Sequence, residues 1–151
     1  MSGRDLITPI NTKTPFLPDL PKEKAVIDHL DHLVLTANNL DVTIRFYTQV
    51  LGMRLETFGN GRVAFCFGNQ KINLHLRGQE FEPKAHLPVP GALDLCFIAN
   101  RPLDEEIQHV QQFDWPIVDG PVMGTGATGP IRSSYLRDPD LKLIEISEPT
   151  A

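Results

Sequence analysis

Leu30-Asp31-His32-Leu33-Val34-Leu35-Thr36 is a short apolar run with one histidine at its centre, and it is followed at once by Asn38-Asn39 and an amphipathic stretch. Leu40, Ile44, Tyr47 and Leu51 in that stretch recur at helical spacing. Asn39 suits the N-cap of such a helix, and Gly52 the left-handed residue just past its end. The segment therefore reads as a strand feeding a helix of about three turns. A histidine held on a strand is a rigid place to bind a metal, and the other polar residues are weighed by what could meet it.

Outward from this unit, Arg54 to Phe58 reads as a strand, Gly59-Asn60-Gly61 as a hairpin turn, and Arg62 to Phe67 as the return strand. Lys71 to Leu76 is the next strand. Gly78 to Pro90 carries Pro83, Pro88 and Pro90 and reads as a connection. Beyond it the order repeats. Ala92 to Ile98 is a strand and Pro102 to Phe113 a helix, with Leu103, Ile107 and Val110 on one face. Trp115 to Val118, Ile131 to Leu136 and Leu141 to Ile146 follow as strands. The expected fold class is α+β: two βαβββ modules, 27–78 and 91–147, forming a curved mixed sheet around a cleft with both helices on its outer face. Residues 1–26, with four prolines, read as a flexible arm.

The 151 residues suit one domain or two small halves with a shared core. A net charge of −5 and the lack of a Lys/Arg run argue against a nucleic-acid partner. No apolar run approaches the ~18 residues of a membrane span. Two cysteines, Cys66 and Cys96, make no disulfide framework. They read as buried free thiols in a reducing, cytoplasmic setting.

Strand alternation sorts the chemistry-bearing residues by face. On the first strand Leu33 and Leu35 face the helix, while Leu30, His32 and Val34 face the cleft. On the fourth, Ile72, Leu74 and Leu76 form the apolar face, opposite Asn73, His75 and Arg77. On the fifth, Asp94 lies opposite Leu93, Leu95 and Phe97. On the last, Glu145 shares the face of Leu143. His32, His75, Asp94 and Glu145 thus stand among apolar neighbours on four strands. Imidazole and carboxylate are ligands for Zn, Ni, Mn, Co or Fe. A carboxylate buried without a partner costs several kcal/mol. His29, His86 and His109 read as surface residues, and Arg77 and Lys71 as surface charges that could also meet an anionic substrate.

These segments resemble the vicinal oxygen chelate superfamily, which includes glyoxalase I, extradiol dioxygenases and bleomycin-binding proteins. The resemblance rests on Leu30 to Thr36, on Arg45-Phe46-Tyr47 with Val50-Leu51-Gly52-Met53, and on Arg137-Asp138-Pro139-Asp140 leading to Leu143-Ile144-Glu145. Within the superfamily the chain is similar to the subgroup called glyoxalase domain-containing protein 5 and its bacterial relatives. Phe67 to His75, Glu80 to His86, Gly126-Ala127 and Gly129 to Ile131 carry that similarity. The resemblance implies paired βαβββ modules and a divalent metal in the cleft. It implies His32, His75 and Glu145 as metal ligands, with Asp94 at the fifth-strand position and Glu145 or Asp94 moving a proton. The implied function is a lyase or isomerase acting on a small oxygen-bearing substrate. An Fe(II) dioxygenase and a non-catalytic, drug-sequestering protein are the alternatives. The histidine pair favours the enzyme, since sequestering members generally lack the ligands. Members often dimerise, sometimes with exchange of domains, so a homodimer is compatible with the chain.

Three features stand apart. Gly124-Thr125-Gly126-Ala127-Thr128-Gly129 fits the dinucleotide fingerprint but leads into a strand, so it reads as a loop, in place to act as a lid. Leu141 follows Asp-Pro-Asp where relatives often carry glycine. Ser133 and Tyr135 read as candidate pocket residues.

Overall fold

A computed structural model describes residues 26–151. The arm expected at 1–26 lies outside the described residues except for Val26. The element order is β1 (His32–Ala37), α1 (Leu40–Arg45) running into a π-helical turn (Phe46–Val50), β2 (Arg54–Phe58), β3 (Arg62–Phe67), β4 (Gln70–Leu76), β5 (Asp94–Ile98), α2 (Leu103–Gln112), β6 (Asp119–Thr125), β7 (Pro130–Arg137) and β8 (Leu143–Pro149). The βαβββ order is repeated, as the sequence leads one to expect. Two mixed four-stranded sheets result, ordered β1-β4-β3-β2 and β5-β8-β7-β6. In each, the first and last strands of the module pair in parallel and the others antiparallel.

The first helix begins where Asn39 accepts a hydrogen bond from the Val42 amide and ends before Gly52, whose φ is +70°. Its last turn widens into a π-helix, so the adjacent Phe46 and Tyr47 are both buried. The sixth strand differs from expectation. It is Asp119–Thr125, and Trp115 to Val118 is irregular. This strand is a sheet edge and exposed throughout, so it shows no apolar alternation, and its Pro121 is tolerated there.

A single hydrophobic core joins the two modules. Leu35, Phe65 and Ile72 from the first sheet meet Leu136, Ile144 and Ile146 from the second, with Phe46, Tyr47, Leu103 and Val110 from the helical segments between them. Phe67 packs edge-on against Phe97, and Phe46 lies against Trp115. Within one chain the modules therefore meet through their helix-bearing sides, whereas the sequence suggests helices outermost. Among the described residues, the edges β1 and β5 pair with no further strand.

A polar knot pins the modules together. Lys142 is fully buried; its Nζ donates to the Thr36 carbonyl at 2.8 Å and lies 3.7 Å from both Asp138 and Asp140. Tyr47 donates to Asp138 at 3.0 Å, and the Asn38 amide group to Asp140 at 2.8 Å. Asp138 also accepts from the backbone N–H groups of Asp140 and Lys142. Burial and the Asp138 carboxylate push the Tyr47 hydroxyl above its ordinary range, so it stays protonated and donates.

The turn within this knot carries strain that glycine can relieve. Leu141 sits at φ +67° and is 70% exposed. An L-residue there costs about 1–2 kcal/mol, partly offset by the greater unfolded-state entropy of glycine, about 0.4–1 kcal/mol. Leu141→Gly is expected to raise stability by about 0.5–1 kcal/mol, measured as the urea midpoint.

Helix α2 is capped from a distance. Pro102 offers no side-chain acceptor, and the Leu103 N–H donates to Glu148 on β8 at 2.7 Å. That bond, with Arg132, holds the Glu148 carboxyl below its ordinary value. Its stabilisation is therefore present above the unfolded-state pKa and fades as pH falls through the lowered folded value. Glu148→Gln should flatten the acid limb of a stability-against-pH curve and leave its neutral-to-basic limb parallel to wild type.

Candidate functional site

The face of the first sheet turned from the core is built by alternation. His32, Val34 and Thr36 on β1 stand beside Lys71, Asn73 and His75 on β4, in that order. His32 is half-exposed, and its Nδ1 lies 2.7 Å from Asp31. The histidine in turn holds the Asp31 carboxyl below its ordinary value. This contact engages the imidazole through Nδ1, and among the described residues Nε2 has no hydrogen-bond partner, the arrangement by which carboxylates orient metal-binding histidines. Asn73 presents a buried Oδ1 with no hydrogen-bond partner among the described residues. That amide oxygen is an acceptor available to a hydrogen bond or a cation.

The equivalent face of the second sheet carries Asp94 and Cys96 on β5 beside Leu143, Glu145 and Ser147 on β8. Tyr135 and Ser133 on β7 lie opposite Glu145 and Ser147. Ser147 ties this face together, at 2.7 Å from Ser133, 3.3 Å from the Cys96 thiol and 3.3 Å from Glu145. Burial, then the nearby Glu145 carboxylate, raises the Tyr135 phenol, so it remains a proton donor at neutral pH. Burial likewise raises the Cys96 thiol. Cys66 is half-buried and Cys96 exposed, not buried as their residue type suggests.

The structure does not gather the expected ligands within one chain. Among the described residues no three His, Cys, Asp or Glu side chains lie close enough together to hold a metal. His32 and Asn73 lie on one outer face, Asp94 and Glu145 on the other. The expected pairing of His32 with His75 also meets a register obstacle. His32 is opposite Lys71 and His75 opposite Thr36, four positions on. That separates the two α-carbons by about 14 Å. His75 packs its ring against Phe81 instead, and burial holds its pKa below the ordinary value. The fourth-strand residue near His32 is Asn73.

Parity along β4 gives its face but not its row, which depends on the pairing with β1. Once the register is known, the modules correspond. Asp94 is opposite Leu143, and Glu145 lies two positions beyond. His32 is opposite Lys71, and Asn73 lies two positions beyond. His32 thus matches Asp94, and Asn73 matches Glu145, each pair spanning adjacent strands at about 8 Å between α-carbons. Asp31 and Ser147, which hold two of these four residues, carry no signal in the sequence beyond their neighbours.

The remaining features are structural. Gly124 and Thr125 close β6, and the Gly126 N–H donates to the Gly129 carbonyl in the turn to β7. A cavity of about 420 Å³ between the modules is lined by Met53, Phe67, Phe97 and Glu106, among others, and by none of the four matched residues. No helix among the described residues is long and apolar enough to cross a membrane.

Comparison with known proteins places this geometry in a family. Residues 29–146 match the model of the Glyoxalase/Bleomycin resistance protein/Dioxygenase superfamily. The chain is 54% identical over 123 residues to virulence protein STM3117 of Salmonella typhimurium, covering 82% of this chain and 85% of that protein. It is 54% identical over 118 residues to the glyoxalase domain-containing protein RDO1 of Mycosarcoma maydis, covering 78% of this chain and 66% of that protein, just under two thirds of the relative's length. The crystal structure of virulence protein STM3117 superposes with a TM-score of 0.81 at 52% identity, over 83% of this chain and all of that one. With paired βαβββ modules and a family model spanning nearly all of the described residues, the chain belongs to the glyoxalase/bleomycin resistance protein/dioxygenase superfamily.

Proposed function

We propose that the protein is a metal-dependent lyase or isomerase of the glyoxalase type, near the glyoxalase domain-containing protein 5 subgroup, and that it works as a homodimer. The observation that carries this reading is the matched pair of half-sites on opposite outer faces of one chain. A second copy, placing its second module over the first module of its partner, completes each site. Among the described residues the edges β1 and β5 are unpaired, and Val34 on β1 and Ile98 on β5 are 43% and 56% exposed, features that association would cover.

The donor set fits a divalent Zn, Ni, Mn, Co or Fe ion. One imidazole with a free Nε2, one unsatisfied amide oxygen and two carboxylates suit such an ion. His32 and Asn73 of one copy, with Asp94 and Glu145 of the other, would hold it. The bound ion would polarise a substrate oxygen as a Lewis acid. Glu145, which accepts a hydrogen bond from Ser147 and pairs across the sheet with Tyr135, would take a proton from a substrate carbon and return it. Tyr135, kept protonated, can donate to a developing negative oxygen. A ring-cleaving Fe(II) site needs two histidines and a carboxylate together, and the four-position offset of His32 from His75 disfavours it. The unpaired thiols of Cys66 and Cys96 support a reducing, cytoplasmic setting.

Metal analysis of size-fractionated protein tests the proposal. The expected result is about one divalent ion per chain in the dimer, retained by His75→Ala and lost by His32→Ala. Metal bound by a monomer, or lost with His75 alone, contradicts it. Metal-loaded protein that binds small ligands equally well before and after chelation is a sequestering protein instead.

A further inference from the structure

We infer that the outer face of the first sheet also holds an anion subsite, in which Arg62 and Lys71 receive a carboxylate or phosphate at the end of the substrate distant from the reacting carbon. This names the substrate class of the site proposed above and rests on that reading.

The face has three rows across β2, β3, β4 and β1, set by the strand register. Arg54, Cys66, Lys71 and His32 form one row. Glu56, Ala64, Asn73 and Val34 form the middle, and Phe58 pairs with Arg62 in the third, beside His75 and Thr36. Ala64, the smallest side chain, stands at the centre. It leaves room for Lys71 to extend diagonally from the first row to the third, where its Nζ lies 4.1 Å from the Phe58 ring centroid. Arg62 lies 4.7 Å over the Phe81 ring, which also packs edge-on with the His75 ring. Along the sheet, Lys71 precedes Asn73 by two positions on β4, and Arg62 lies two positions from Ala64, the β3 residue opposite Asn73.

Neither Arg62 nor Lys71 has an ion-pair partner among the described residues, in a chain with 19 acidic and 14 basic residues. Both rest on aromatic rings. A guanidinium seated over an aromatic ring retains N–H donors for a bidentate carboxylate or phosphate. The covering face of a second copy would bring Asp94, Glu145 and Asp119, all acidic. An anionic tail is repelled there and drawn to the cationic end. From Asn73 to Arg62 is one strand across and two positions along, about 8 Å between α-carbons. Side chains shorten that gap to the reach of a chelating group with an anion two or three carbons away.

The test is calorimetric titration of the metal-loaded dimer with three probes sharing one chelating α-hydroxy acid. These are 2-hydroxyvalerate, 2-hydroxyglutarate and 3-phosphoglycerate, with a neutral, carboxylate and phosphate tail. At least one anionic probe is expected to bind about 10–100-fold more tightly than 2-hydroxyvalerate, and the stronger identifies the tail. Arg62→Gln with Lys71→Gln should erase that preference and leave 2-hydroxyvalerate unchanged. Equal binding of all three, or a preference that survives in the double variant, overturns the subsite while the metal reading stands. If the chain takes up no metal, glutarate titrated into wild type and double variant decides. Binding that depends on Arg62 and Lys71 upholds the subsite without the metal, and indifference to them overturns it.

Discussion

Lys142→Met is expected to lower stability by about 3–5 kcal/mol, because it strips the cation from a buried carboxylate cluster. Lys142 and Asp138 are both fully enclosed, and the ammonium faces two carboxylates and a backbone carbonyl. Methionine fills much of the volume but leaves Asp138 charged in the interior with only Tyr47 and two backbone N–H groups. The loss is large against the total of about 5–15 kcal/mol typical of a domain. Tyr47→Phe removes one hydrogen bond to that charge and should cost less, about 1.5–3 kcal/mol. Pairing Lys142→Met with Asp138→Asn removes both charges and should recover part of the loss. Urea unfolding at constant m-value measures all three variants. A change under about 1 kcal/mol for Lys142→Met would show the knot to be solvated. The same knot joins the end of β1 to the turn before β8, so its loss should also disturb the spacing of the modules.

Glu145→Ala should lower metal affinity by more than about 100-fold. Loss of groups that only orient a ligand already costs about 10–100-fold, and Glu145 is proposed to touch the ion. His32→Ala should do the same from the other module. Asp31→Asn should fall within that orienting range, since the amide cannot fix the imidazole as the carboxylate does. Metal titration with a competing chelator measures each. The melting temperature of metal-free protein should change little, because His32 and Glu145 lie outside the hydrophobic core.

The path from sequence to these sites was uneven for physical reasons. Helical spacing of Leu40, Ile44, Tyr47 and Leu51, and the Asn-Gly turn at 60–61, announced the first module because core burial and turn chemistry leave local marks. Strand alternation likewise put His32 on the face away from the helix and Glu145 on the face of Leu143. Strand β6 left no such mark, since an exposed edge strand buries nothing on either side. The row in which His75 stands relative to His32 was not legible, because register is a long-range property of β1 against β4. The way the modules meet was also hidden. Each sheet has an apolar face, and periodicity alone cannot say whether two such faces meet each other or each covers its own helix.

The most direct test of the shared site is the metal content of a mixed dimer. Chains carrying His32→Ala and chains carrying Glu145→Ala, each with a different affinity tag, are co-expressed, and the mixed dimer is isolated through both tags. If each site takes His32 from one copy and Glu145 from the other, both losses fall in one site and the second remains whole. The mixed dimer should then bind about half the wild-type metal per chain, while either variant alone binds almost none. A mixed dimer as empty as its parents, beside a wild type fully loaded, would place all the ligands within one chain and contradict the account.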